Sequence, residues 1–157
     1  LVGAAPADAR NCQSVSPGGN ATNCLFKGTN LGHADMRGAD FRGATFDGTN
    51  LGNADFSGAI LEGTVFKGAN LGNAAMFGAK ASRALFDGAN MGNAELDRAD
   101  LRGARFERAN LANASMRDAD LTGAVFSRCN LRFTDFSGAT WTDGRKICAQ
   151  GSIGACR

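Results

Sequence analysis

The sequence predicts an all-β solenoid, a four-sided stack of short coils. Three observations carry this. A five-residue unit repeats from Cys24 to Asp143 without one insertion or deletion, a period of twenty runs on top of it, and Gly or Asn recurs where the chain would turn. Fixed internal periodicity is the mark of a repeat architecture, in which no unit buries its own apolar face and stacking supplies the core.

The stretch 24–143 divides into 24 units, beginning CLFKG TNLGH ADMRG ADFRG and ending ATWTD. The third position is Leu nine times, Phe nine times and Met four times, with Trp141 and Ala81 the remaining two. The first position is always small: Ala eighteen times, Thr four times, Cys twice. A period of five fits neither a helix at 3.6 residues per turn nor a strand at 2. It suits a short bridge with two inward side chains, then a turn whose fifth residue, Gly twelve times, adopts positive φ.

Every twenty residues the third position is Phe, giving a core ladder of Phe26, Phe46, Phe66, Phe86, Phe106 and Phe126. The next unit places Leu31, Leu51, Leu71, Met91, Leu111 and Leu131 in file, each preceded by Asn. Four units therefore make one coil. Six coils at strand spacing predict a rod about 29 Å long. Ala81 interrupts the inward file between Leu61 and Leu101, in a coil that also carries Ala75 where Asp or Asn is usual and Phe77 at an outward position. A void of Leu size there would cost about 2–5 kcal/mol unless neighbours close it; inward packing with Met76 leaning over is the favoured expectation, a small ligand pocket the other. Residues 1–23 and 144–157 do not repeat and are candidate caps for the exposed edges of a β-solenoid.

Units such as ADLRG, ANLGN, ADLTG and ADFRG resemble the pentapeptide-repeat family, whose consensus is A-[D/N]-L-x-x. The resemblance covers 120 of the 157 residues. It implies a right-handed quadrilateral parallel β-helix with third-position and small residues inside. It also brings one functional expectation, because well-known members protect or inhibit bacterial type II topoisomerases and are thought to mimic duplex DNA. Charge weighs against that role here. A duplex about 29 Å long carries on the order of 17 negative charges, whereas residues 24–143 hold 14 acidic and 13 basic residues. The side with Asp35, Asp55, Glu95, Asp97, Asp118 and Asp135 also carries Arg37, Arg98 and Arg117. No loop is inserted between coils. A gyrase-interacting DNA mimic is thus the alternative, and no nucleic-acid partner is expected.

Composition excludes more than it specifies. The net charge of +2 sets up no whole-chain field toward nucleic acid or membrane, and no apolar run reaches the roughly 18 residues of a membrane-spanning helix. The single His33 sits at a turn position with no nucleophile or acid at a meaningful spacing. No CxxC, H-x-x-x-H or EF-hand spacing occurs, and the glycines follow the turn period rather than a phosphate-binding loop. No catalytic residue, cofactor or metal site is assigned.

The five cysteines are an odd set. Cys148 and Cys156 could close a C-terminal loop, and Cys12 could clip the N-terminal flank to Cys24, which leaves Cys129 as a buried thiol in a small slot. A rival pairs Cys129 with Cys148, nearly one coil later. Disulfides at the ends would place the chain in an oxidising compartment, periplasmic or secreted rather than cytoplasmic. LVGAAPADARNC resembles the end of a secretory signal with ADA as the cleavage site; residues 1–9 read equally as an engineering scar. The sequons at Asn20 and Asn113 fit chance in an Asn-rich chain.

Two surfaces remain as candidates for a protein or glycan partner. The Asn side, with Asn50, Asn70 and Asn90 in one file and Asn73 and Asn93 in another, forms a flat, nearly uncharged face; its plainer reading is amide ladders between rungs and turn residues tolerating positive φ. Exposed Phe77 belongs to the same set of probes. At the C-terminal end, Phe133 stands where Gly or Asn turns, near Trp141. The pair packs under the cap or makes an end-to-end homodimer contact, as several family members do, so a monomer and a dimer are both open.

Overall fold

The computed structural model describes Cys12 and residues 15–157. The signal-like reading of residues 1–9 lies outside these residues. Parallel bridges join residues twenty apart at every fifth position, from Asn20↔Asp40 through Leu25↔Thr45, Asn30↔Asn50 and Asp35↔Asp55 to Asp120↔Thr140. Each coil thus has a Phe side (24–28 and the stretches twenty residues on), an Asn side (29–33 and on), a third side (34–38 and on) and a fourth side (39–43 and on). Among the described residues rung bonds reach back into the stretch 1–23, where Gly18 N–H donates to Arg37 at 2.8 Å and Asn20 bridges Asp40, and GNATN already has the bridge and the turn but carries Ala21 in place of a large inward residue.

The consensus has a physical reason at each position. The third-position carbonyl accepts the N–H three residues on, as from Ala54 to Leu51 at 3.0 Å, and closes a β-turn. Its fifth-position residue lies at φ near +60°, Asn53 at 59° and Gly58 at 66°, as a left-handed turn residue requires. The N–H of the fourth residue takes no part in the rungs, and Asn or Asp at the second position accepts it: Gly52 donates to Asn50 at 3.2 Å, Ser57 to Asp55 at 2.9 Å, Arg102 to Asp100 at 3.2 Å. Such a side-chain turn is what Asn and Asp supply locally. The first-position threonines add a bond between rungs, since buried Thr49, Thr64 and Thr134 donate their hydroxyls to the carbonyls of Phe26, Phe41 and Leu111 at 2.6, 2.7 and 2.8 Å. Cys129 makes the same contact to Phe106 with its thiol, so Thr49, Thr64, Thr134 and Cys129 fasten rungs from the small slot, whereas Thr29 bonds within its own coil to Phe26 and Cys24 is disulfide-bonded.

Inside, the Phe rings stack nearly parallel, with centroids 4.7 Å apart for Phe26–Phe46, then 5.2, 5.1, 5.0 and 4.9 Å up to Phe106–Phe126. Phe41 and Phe56 meet this column edge-on, at 5.3 Å from Phe46 and 5.8 Å from Phe66. Aromatic pairs in these geometries contribute about 0.5–1.5 kcal/mol each beyond area burial. The rings are buried from Phe26 to Phe106, and Phe126, in the last coil, is half-buried. Ala81 and Met76 have no exposed surface, and the rungs run through Ala81 unbroken: Leu61 N–H donates to Lys80 at 2.7 Å and Ala81 N–H to Asp100 at 2.8 Å.

The C-terminal segment folds back antiparallel over the last rung. It pairs Ile147 with Thr140 and Ile153 with Asp135, and the cysteines of this segment, Cys148 and Cys156, are disulfide-bonded. At the other end Cys12 is bonded to Cys24, and Cys129 is a free thiol that burial pushes above the usual cysteine range. Among the described residues no helix is long and apolar enough to cross a membrane.

Candidate functional site

The second-position asparagines form a continuous amide ladder. Asn50 donates its Nδ2 to Asn30 Oδ1 at 2.8 Å, Asn70 to Asn50 at 3.1 Å, Asn90 to Asn70 at 3.2 Å, and Asn110 and Asn130 each to the one below at 2.9 Å. Each of these oxygens from Asn50 to Asn110 also accepts a backbone N–H from its own turn, so one amide serves two rungs. This file is therefore held in place before any partner arrives.

Beside it run Gly52, Gly72, Gly92 and Ala112. A Cβ on Gly72 would lie 3.3 Å from Asn70 Oδ1 and 3.6 Å from Asn90 Nδ2, a close fit that small residues meet from Gly32 to Ala112 and that leaves the surface flat; Arg132 takes the same position in the last coil, where no rung lies above it. Ala112 shows that one methyl group fits. The next file, Asn53, Asn73, Asn93 and Asn113, holds the left-handed corner at φ between 56° and 59°. The two Asn files and the small residues between them line an open trough of about 440 Å³. No charged residue lines it. Unlike the ladder amides, the corner amides of Asn53, Asn73, Asn93 and Asn113 have no hydrogen-bond partner in the described structure, so donors and acceptors face the trough unused. The arrangement can offer neutral, repeated hydrogen bonding along the rod, and it holds no group able to act as acid, base or nucleophile.

Phe77 does not join this trough. It stands one side away on the third side, 48% exposed, with the Arg98 guanidinium 5.5 Å from its ring centroid. Phe133 and Trp141 also separate. Trp141 lies half-buried, 5.9 Å from Phe126 in a parallel stack and 5.2 Å from Phe136 edge-on, whereas Phe133 is 57% exposed beneath Arg132 at 4.9 Å. The two arginine contacts could not be foreseen, because each depends on which way a turn directs its outward side chain.

On the other sides several carboxylates are paired locally, although Asp47 keeps one buried oxygen without a partner among the described residues. Arg37 pairs with Asp35 at 2.7 Å, and Arg42 with Asp40 and Arg102 with Asp100 at 2.6 Å; Arg105 pairs with Asp87 one rung below. Hydrogen bonds from these arginines hold the Asp40, Asp87 and Asp100 carboxyls below the usual carboxylate range. Among the described residues no cluster of three or more His, Cys, Asp or Glu gathers as for a metal ion.

The sequence profile described as Pentapeptide repeats matches the chain in eight copies, over residues 22–63, 46–80, 59–103 and 104–140. Among curated protein sequences none matches significantly. Two solved structures share the fold. The pentapeptide-repeat protein Rfr23 from the cyanobacterium Cyanothece 51142 is 22% identical with a TM-score of 0.54, over 78% of this chain and 83% of its own. A trypsin-treated variant of QnrB1, a plasmid-mediated fluoroquinolone resistance protein, is 24% identical with a TM-score of 0.56, over 86% and 82%. Likeness at this identity speaks for the fold and not for a role. With the family profile spanning most of the rungs, the chain belongs to the pentapeptide-repeat family.

Proposed function

We propose that the chain is a rigid, non-catalytic binding rod of six coils that works outside the cytoplasm and engages a neutral, polar partner, a glycan or a protein, through its Asn side. One observation carries the reading. The uncharged trough is also the stretch whose amides divide into a locked file and a free file, so the scaffold is pre-organised while the free amides remain available. Pre-organisation of this kind spares the partner the cost of ordering the site. The export reading is supported by the two disulfides, one at each end, since such bonds persist in oxidising compartments.

The test is an isosteric one. Asn73→Asp with Asn93→Asp keeps shape and tolerance of positive φ, and adds two charges to a neutral trough. A panel of neutral oligosaccharides and the extracytoplasmic protein fraction of the source cell supply the probes. Binding by the native chain and loss by the double variant supports the reading; a partner bound equally by both places the site elsewhere. The topoisomerase alternative has the paired carboxylates against it, because Asp35, Asp40, Asp87 and Asp100 are each neutralised by an arginine rather than arrayed as a phosphate-like stripe. Unchanged gyrase supercoiling in the presence of the chain is the expected outcome.

A further inference from the structure

The last coil is covered on only two of its four sides. On the third and fourth sides the returning segment takes up the outward-facing backbone groups: Phe136 N–H donates to Ser152, Gly138 to Cys148 and Trp141 to Lys146, at 2.9, 2.9 and 2.7 Å. On the Phe and Asn sides the equivalent groups, the N–H of Phe126, Arg128, Leu131 and Phe133, make no hydrogen bond among the described residues. One coil below, their counterparts on Phe106, Arg108, Leu111 and Asn113 donate to Val125, Ser127, Asn130 and Arg132 at 2.8–2.9 Å. The carbonyls of Ala124 and Cys129, whose counterparts below accept from the next rung, are likewise open. The apolar side chains behind this edge are incompletely covered. Phe126 and Leu131 are half-buried, while Val125 is 49% and Phe133 57% exposed. An unpaired edge backed by apolar surface is a template for one more strand.

The charge around the edge selects the occupant. Arg128, Arg132, Arg145, Lys146 and Arg157 are all exposed at this end. The acids there are engaged: Asp143 accepts the backbone N–H groups of Arg145 and Lys146 at 2.9 Å, and Asp135 lies 3.8 Å from Arg117. A second copy meeting this edge through a two-fold axis would set these cations against themselves, which opposes the end-to-end dimer. We infer that the open half of the C-terminal edge accepts an acidic segment of another protein that follows the corner at Arg128, its carbonyls accepting from the N–H groups of Phe126, Arg128, Leu131 and Phe133 and its own N–H groups donating to the carbonyls of Ala124 and Cys129. Its small apolar residues would lie on Phe126 and Leu131, and its carboxylates would meet Arg128 and Arg132. This surface is separate from the Asn trough, and the two stand or fall independently.

The test uses the full chain with its disulfides intact and a fluorescent octapeptide alternating valine and glutamate, read by anisotropy. Saturable binding is expected, at least about tenfold tighter than for the valine–lysine counterpart. Arg128→Glu with Arg132→Glu should weaken it about tenfold, and methylating the peptide nitrogens that donate to the open carbonyls of Ala124 and Cys129 should weaken it as well, because strand addition needs those backbone bonds. Equal binding of the methylated peptide would show adhesion by charge alone and overturn the proposal. So would equal binding of the acidic and basic peptides, or absence of saturation. Sedimentation that finds a dimer from which the acidic peptide is excluded would assign the edge to a second copy and overturn it as well.

Discussion

Replacing Phe66 with alanine removes a ring from the middle of the aromatic column. That ring is fully buried, lies 5.2 Å from Phe46 and 5.1 Å from Phe86 in parallel stacks, and meets Phe56 edge-on at 5.8 Å. Truncating a phenylalanine in a closed core costs about 3–5 kcal/mol. Two lost stacks of about 0.5–1.5 kcal/mol each push the value toward the top of that range. Backbone rungs on every side leave the site little room to collapse. Phe126→Ala is the matched comparison, since Phe126 stacks on a phenylalanine from one side only and is half-buried; the smaller buried area puts its cost at about 1.5–3 kcal/mol. Urea titrations followed by far-ultraviolet circular dichroism measure both. Trp141, the single tryptophan, reports separately on the last coil by fluorescence. Nearest-neighbour stacking requires the central truncation to cost more. A loss for Phe66→Ala equal to or smaller than that for Phe126→Ala would refute the column as the principal source of stability.

Three further outcomes follow from other parts of the structure. Ala81→Leu should destabilise by about 1–3 kcal/mol through overpacking, because Ala81, Met76 and Ala84 are already fully buried; a stabilised variant would reveal a void at that position. The depressed carboxyls of Asp40, Asp87 and Asp100 contribute stability that is present above the unfolded carboxylate range near pH 4 and disappears as pH falls through their lower folded values. Arg102→Gln should therefore narrow the gap between urea midpoints at neutral pH and at pH 3, by no more than about 1 kcal/mol for an exposed pair, and an unchanged gap contradicts the assignment. Reducing Cys148–Cys156 should lower stability by about 2 kcal/mol, given a short closed loop, and should expose residues 144–157 to protease first; five free thiols in an intact-mass measurement without reductant would remove the disulfides from the account.

The register was legible because a solenoid writes its geometry directly into its period. Twenty residues per coil, Phe upon Phe and Asn upon Asn follow once the five-residue unit is recognised, and the Asn ladder is what such a file makes when rungs are one strand spacing apart. The ends were less legible for the opposite reason: they stop repeating. GNATN hides its rung behind Ala21, and nothing in residues 144–157 says that their return covers two sides and leaves two open. The outward turn residues were opaque too. Phe77 is a fourth-position residue and Phe133 a fifth-position corner, yet each ends beneath an arginine, an outcome decided by side-chain direction and not by spacing.

Binding through the Asn side is tested most sharply by site-specific photo-cross-linking in the extracytoplasmic fraction of the source cell. One photoreactive residue replaces Ala112 in the Asn trough, at the position that Arg132 fills one coil on, and another replaces Lys67 on the Phe side. A partner adduct is expected from position 112, lost with Asn73→Asp and Asn93→Asp, and none from position 67. Adducts from position 67 alone, or from position 112 irrespective of those two substitutions, would contradict binding through the Asn side.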